Sequence, residues 1–240
     1  MHPHLLQLLA LNKGRGSFSI EAKAEEATIY LYDAIITSDP FGLGGVTAID
    51  FIKELNALSQ PVINLRVNSP GGDIFAGRAI AQAIKEHPST IIAHVDGYAA
   101  SAATFPVIAA DQSVISNGGM FTIHNSWMIA SGNASDFLDV AALLDKTDQA
   151  IIRDYVAKTG KTAEEIKAWM DAETYLYGQE AVDSGFIGAI AEAAPKNKIN
   201  WDLSAYSKAP VIENKQEEPE EKQDLSHLYR QLEMMSKIAA

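Results

Sequence analysis

The stretch Val95-Asp-Gly-Tyr-Ala-Ala-Ser-Ala-Ala-Thr104 sets one serine among alanines at a strand-to-helix junction. A helix start leaves backbone N–H groups without intrahelical partners, so a hydroxyl and the oxyanion it generates can both be held there. Ser101 is therefore a candidate nucleophile. Upstream, Asn68-Ser-Pro-Gly-Gly-Asp73 is a glycine turn able to aim N–H groups, and downstream Phe121-Thr-Ile-His-Asn125 ends a β-type run in a histidine. Peptide hydrolysis by a serine needs a base for the hydroxyl proton, donors for the oxyanion and a group that fixes the base's tautomer. His124 and His94 are the two histidines that could serve as base, since a near-neutral imidazole accepts that proton and returns it to the leaving amine. The N–H groups of Gly72 and Ala102 are the candidate oxyanion donors, with Gly71 supporting the turn. Each part alone has a plainer explanation: a helix-start serine, a structural histidine, a turn that needs positive φ. Their combination favours chemistry.

The run Asn68-Ser-Pro-Gly-Gly-Asp-Ile-Phe-Ala-Gly-Arg-Ala-Ile80, followed by Gly97-Tyr-Ala-Ala-Ser-Ala102 and Ile123-His124, resembles the proteolytic subunit of the Clp protease, from about Thr28 to about Glu192. Within that superfamily it looks most like the branch encoded by tailed phages and prophages, whose members are head maturation proteases. The resemblance implies an α/β chain of ClpP/crotonase-like fold, with a parallel-rich sheet and flanking helices. It further implies serine endopeptidase activity without a cofactor, acting on protein or peptide substrates such as capsid or scaffold protein, in homo-oligomeric rings that enclose the active sites. It implies that His124, directly after Met120-Phe-Thr-Ile123, is the base rather than His94. Aligning Tyr175-Leu-Tyr-Gly-Gln-Glu-Ala-Val182 to its counterpart puts Glu173 where the family generally has aspartate. The extra methylene changes the reach. Asp171 is the alternative acid, and on an extended backbone it would share a face with Glu173.

Two readings compete with the phage protease. A cellular Clp proteolytic subunit would work with a separate AAA+ unfoldase, because the glycines at 42, 44 and 45 lack the spacing and the lysine of a phosphate-binding loop. A crotonase-like acyl-CoA enzyme would turn the same oxyanion donors on a thioester enolate, but it calls for a carboxylate acid/base pair rather than Ser101 with His124. No metal-ligand pattern stands out.

The elements that must hold these residues alternate. Strands are expected over 27–32, 61–67 and 90–95, and helices from Thr47, over 74–86 and over about 99–109 after a turn at Gly97. Such alternation predicts a parallel-rich sheet with its ligand site at the carboxyl ends of the strands, where Gly71, Gly72 and Ser101 fall. Segments 113–116 and 120–123 would bring His124 to the same edge. Pro106 inside the nucleophile helix should kink it. A long helix ending at Gly160 presents Phe137, Val140, Leu144, Ile151 and Tyr155 on one side, and Thr162-Ala-Glu-Glu165 is a capping box for the next. An extended stretch over 171–177 and a short helix from Gln179 to Ser184 follow.

With 240 residues, 47% of them hydrophobic, the chain can bury one substantial core. A formal charge of −12 argues against non-specific nucleic-acid binding, and the lack of cysteine excludes disulfides and thiolate chemistry. No membrane span or secretion signal is read, and a cytoplasmic location is expected, that of the host cell if the protein is phage-encoded. The expected organisation is an N-terminal segment (1–26) that packs or is removed, a peptidase domain (27–194), an acidic linker (195–224) and an amphipathic helix (225–240). That last helix is either docked on the domain or an assembly handle.

Overall fold

Apolar residues alternate along three successive strands, and their register stacks them into one buried layer. The computed structural model describes residues 3–39, 42–192, 201–204, 206 and 208–209. Its strands are β1 (Ser17–Ala22), β2 (Glu26–Tyr32), β3 (Ile35–Ile36), β4 (Val46–Thr47), β5 (Val62–Ser69), β6 (Thr90–Ala100), β7 (Gln112–Ile115), β8 (Met120–Ile123), β9 (Thr174–Tyr177) and β10 (Ala189–Ile190). The helices are α1 (Pro3–Leu11), α2 (Ala48–Asn56), α3 (Ile74–Glu86), α4 (Thr104–Ala109), α5 (Ala134–Thr159), α6 (Ala163–Asp171) and α7 (Gly178–Asp183). Ile29, Leu65 and Ala93 are neighbours across β2, β5 and β6, as are Leu31, Val67 and Val95, and all six are buried. The strands run in the order β1-β2-β5-β6-β7-β10, parallel except for the β1–β2 pair. This is a mixed α/β fold with a mostly parallel sheet and flanking helices.

The feature that builds the site is a fork. The first half of β6 pairs with β7, whereas its last residues, Tyr98–Ala100, pair with β8, which in turn pairs antiparallel with β9. Gly97 is therefore not a turn. The strand runs through it, and at the register shift between Val67 and Ser69 the Asn68 side chain accepts from the Tyr98 N–H at 3.1 Å. A buried polar side chain takes over there for a lost ladder bond.

The nucleophile helix also differs from expectation. A 3-10 turn over Ser101–Ala103 precedes α4, so Pro106 lies in the first turn of α4. An N–H there would have no intrahelical acceptor, and proline costs little. The segment before residue 27 is not separate from the domain, since β1 is the sheet's edge strand and α1 packs Leu8 and Leu9 into a second core cluster. Within the stretch expected to be linker, Trp201 and Leu203 are 4% and 5% exposed in that same cluster. Residues 193–200, 205, 207 and all from 210 onward, the helix expected over 225–240 among them, lie outside the described residues.

Helix α5 is capped at both ends as its sequence demands, by an Asn133/Asp136 capping box and by Gly160 in the left-handed conformation. Only its C-terminal part meets the core, through Ile151 and Tyr155. Phe137, Leu138 and Leu143 of its N-terminal part are exposed at 51%, 72% and 50%.

Candidate active site

Register alone brings the candidate residues together. Ser69 pairs with Ala99, which sets the following Gly71-Gly72 turn beside Ser101, and Thr122 pairs with Ala100, which sets His124 level with the first residues after β6. The antiparallel pairing of Ile123 with Thr174, continued by one residue, puts Glu173 opposite His124. Gly72, Ser101 and His124 line one cleft of about 430 Å³, whose walls include Trp127, Leu143 and Tyr206.

Ser101 has φ 52°, a left-handed backbone rare for a residue with a side chain. The strain is held from below. Thr104 Oγ1 donates to Ser101 O at 2.6 Å, and having used its only proton it must accept from the buried Tyr155 hydroxyl at 2.7 Å. Burial raises the Tyr155 pKa, which keeps that donor protonated. Tyr155 is itself wedged against Phe105 and Phe186.

The glycine turn is tied to β3: Ile35 N donates to Gly71 O and Ile35 O accepts from Asp73 N, both at 2.8 Å. The Gly72 N–H between them is left out of that ladder. Ala102, second in a 3-10 turn, likewise lacks an intrahelical acceptor for its N–H. Gly71 has to be glycine, with φ 82° and with any Cβ falling 2.3 Å from Ala100 O.

His124 Nδ1 lies 2.7 Å from Asn125 O, a contact that needs the proton on Nδ1 and leaves the Nε2 lone pair available. Nε2 is buried without a hydrogen-bond partner among the described residues. Desolvation pushes the imidazole pKa below its ordinary value, while the Asn125 carbonyl and then the charges of Glu173 and Asp148 oppose the shift. Asp171 does not share an extended face with Glu173, because it is the last residue of α6. Its exposed carboxylate accepts from Asn125 Nδ2 at 2.9 Å and from Lys167 Nζ at 2.7 Å, which holds its pKa low. Glu173 follows the helix cap with φ 51° and accepts from the Tyr175 hydroxyl at 2.5 Å. The competing histidine, His94, lies inside β6 with Nε2 3.0 Å from Asn64 Oδ1.

Sequence reasoning missed three contributors. The Asn125 carbonyl is backbone and carries no sequence signal. Asp148 accepts from Ser126 N at 2.6 Å from α5, whose sequence shows only an apolar stripe. Tyr206 stacks edge-on against His124, with ring centroids 5.3 Å apart, from a stretch read as linker. Among the described residues no group of three or more His, Asp or Glu side chains is placed to hold a metal ion.

A family model described as Clp protease matches residues 23–194. The chain belongs to the Clp protease family. It is 31% identical over 138 residues to the ATP-dependent Clp protease proteolytic subunit 1 of Leifsonia xyli, covering 57% of this chain and 70% of that protein. It is 36% identical over 143 residues to the proteolytic subunit of Dehalococcoides mccartyi strain CBDB1, covering 57% and 68%. A mutant ClpP1 from Listeria monocytogenes superposes with a TM-score of 0.58 at 26% identity, over 69% of this chain and 91% of that one. This Clp-family chain is thus a serine-type peptidase.

For this Clp-family peptidase the sign of the His124 shift gives a prediction. Acting as base, His124 would have to be neutral to accept the serine proton, and since burial lowers its pKa from 6.5 the acid limb of kcat/KM is then expected below pH 6.5. Stability follows the same direction. The folded imidazole resists protonation, so its contribution is present above the unfolded pKa and is lost as pH falls towards the folded one. Glu173→Gln removes a charge that favours imidazolium and is expected to move the acid limb lower while reducing kcat by about tenfold or more. Asp171→Asn should leave the limb in place. A pH–rate series on the three proteins checks this, and the opposite ranking would transfer the orienting role to Asp171.

Proposed function

We propose that the chain is a serine endopeptidase in which Ser101 attacks the scissile carbonyl, His124 moves the proton, the Gly72 and Ala102 N–H groups receive the oxyanion and Glu173 supports the imidazolium. The observation behind this reading is the forked sheet: three independent strand pairings converge on Ser101, the glycine turn and His124. A crotonase-like reaction gains nothing from a strained serine beside an unpaired imidazole nitrogen. Labelling with a fluorophosphonate, followed by peptide mapping, is expected to modify Ser101 in the wild-type chain. Modification at another residue in place of Ser101 would overturn the assignment.

The relatives named above are subunits of ATP-dependent proteases, and we extend ring assembly and service by a separate AAA+ unfoldase to this chain. The exposed Phe137 and Leu138 on α5 support self-association, because an apolar helix face of this kind stays in water at a cost unless another surface covers it. Replacing both by Ser is expected to lower the oligomeric state in sedimentation while the far-ultraviolet spectrum is kept. An unchanged oligomer would remove α5 from the interface. A role in phage head maturation rests on the sequence resemblance and on the acidic C-terminal segment.

A further inference from the structure

Described residues between 201 and 209 contact the glycine turn, His124 and Glu173. Trp201 Nε1 donates to Asn68 O at 2.9 Å, and Tyr206 Oη donates to Pro70 O, so both grip the strand that leads into the glycine turn. Asp202 and the Asn12 side chain exchange two hydrogen bonds, at 2.7 and 2.9 Å, which ties the segment to the end of α1. Lys208 N donates to Glu173 Oε1 at 3.0 Å and Lys208 Nζ to Ala172 O at 2.7 Å. Between these anchors the half-buried Tyr206 hydroxyl comes within hydrogen-bonding reach of Ser101, and its ring stands edge-on to His124.

We propose that residues 201–204, 206 and 208–209 belong to a built-in inhibitory strap, a peptide ligand in cis whose Tyr206 side chain occupies the space an acyl group must enter and keeps Ser101 apart from His124. The inference rests on Ser101 and His124 being nucleophile and base. Its first support is the orphaned His124 Nε2: a base with no hydrogen-bond partner is not bonded to the Ser101 hydroxyl. The strap also shares Glu173, the charge that would stabilise imidazolium. What faces Ser101 from the strap is a phenol, which has no electrophilic carbon, so the strap blocks the nucleophile without offering it a bond to cut. The anchors Trp201 and Leu203 sit in the second core cluster with Leu8 and Leu9, and neither anchor is among the residues lining the cleft around Ser101 and His124, so seating does not depend on the chemistry. Activation then requires the strap to lift, and the enzyme's apparent activity scales with the lifted fraction.

The test uses the full chain and the rate of fluorophosphonate labelling at Ser101. Tyr206→Ala is expected to raise that rate by about tenfold or more, and Tyr206→Phe, which keeps the ring but loses the bond to Pro70 O, by less. A synthetic peptide of residues 201–209 added to the Tyr206→Ala protein should slow labelling again. Equal labelling of wild type and Tyr206→Ala would overturn the strap and leave the nucleophile standing. Cleavage of the strap by wild type but not by Ser101→Ala would make it a substrate and overturn the proposal too. Seating has its own readout. The chain has no cysteine, so Leu203→Cys provides a single thiol, expected to react far more slowly in the native than in the denatured protein. Native reaction at the denatured rate would overturn the strap whether or not Ser101 labels, and no labelling in any variant alongside a protected thiol would instead remove Ser101 as nucleophile and, with it, the inhibitory role.

Discussion

Ser101→Ala is expected to abolish peptide hydrolysis, with a loss of about 10⁶-fold if the site works as a unit, and to leave the fold intact. Only Oγ is removed. The backbone at φ 52° stays clamped by Thr104 and Tyr155, so neither the 3-10 turn nor the sheet fork loses a bond. A second substitution separates chemistry from strain. Ser101→Gly should be as inactive but more stable than Ser101→Ala by about 1 kcal/mol, since glycine alone reaches positive φ without a Cβ penalty. Steady-state kinetics on a small peptide and thermal unfolding of the three proteins give both readings. A folded Ser101→Ala protein that keeps more than trace hydrolysis would remove Ser101 as nucleophile.

Local patterns made much of this site legible, and they failed where a partner distant in sequence decides. Helix α3 runs from Ile74 to Glu86 as its pattern indicates, because the Asp73 side chain caps it at the Ala76 N–H and its apolar stripe meets the sheet. Gly97 looked like a turn, yet β6 continues through it because Asn68 on the neighbouring strand supplies the missing acceptor. On an extended backbone Asp171, the alternative to Glu173, would share a face with it. A capped helix runs up to Asp171 and a left-handed residue follows at Glu173, so only one of the two sits opposite the imidazole in the sheet register. For α5 the apolar positions were readable but their cover was not, since amphipathicity names a face and not what lies against it. Tyr206 was least legible, because its contacts with Pro70 and His124 are set by tertiary structure in a stretch whose wider composition is polar. The spacing of Trp201, Leu203 and Tyr206 is the signal that could have found it.

The second large effect is expected at Gly72. Its φ is 143°, and a Cβ there would fall 2.0 Å from Ile35 O, the carbonyl that fixes the turn by accepting from Asp73 N. Gly72→Ala must therefore push the turn away from β3, and the N–H held free between two ladder bonds swings off the position where the oxyanion forms. Losing one such donor costs about 10²- to 10³-fold in kcat. KM should change little, because the donor acts on charge that develops only in the transition state. Fluorophosphonate labelling of Ser101 should slow in parallel, since the phosphonyl oxygen needs the same donors. A merely structural role is tested at the next residue. Asp73→Ala deletes the cap of α3 and should cost about 1 kcal/mol of stability while hydrolysis is largely kept. If Gly72→Ala folds and turns over like the wild type, the oxyanion is held elsewhere; if both variants lose stability and activity in proportion, the turn supports the fold and supplies no donor.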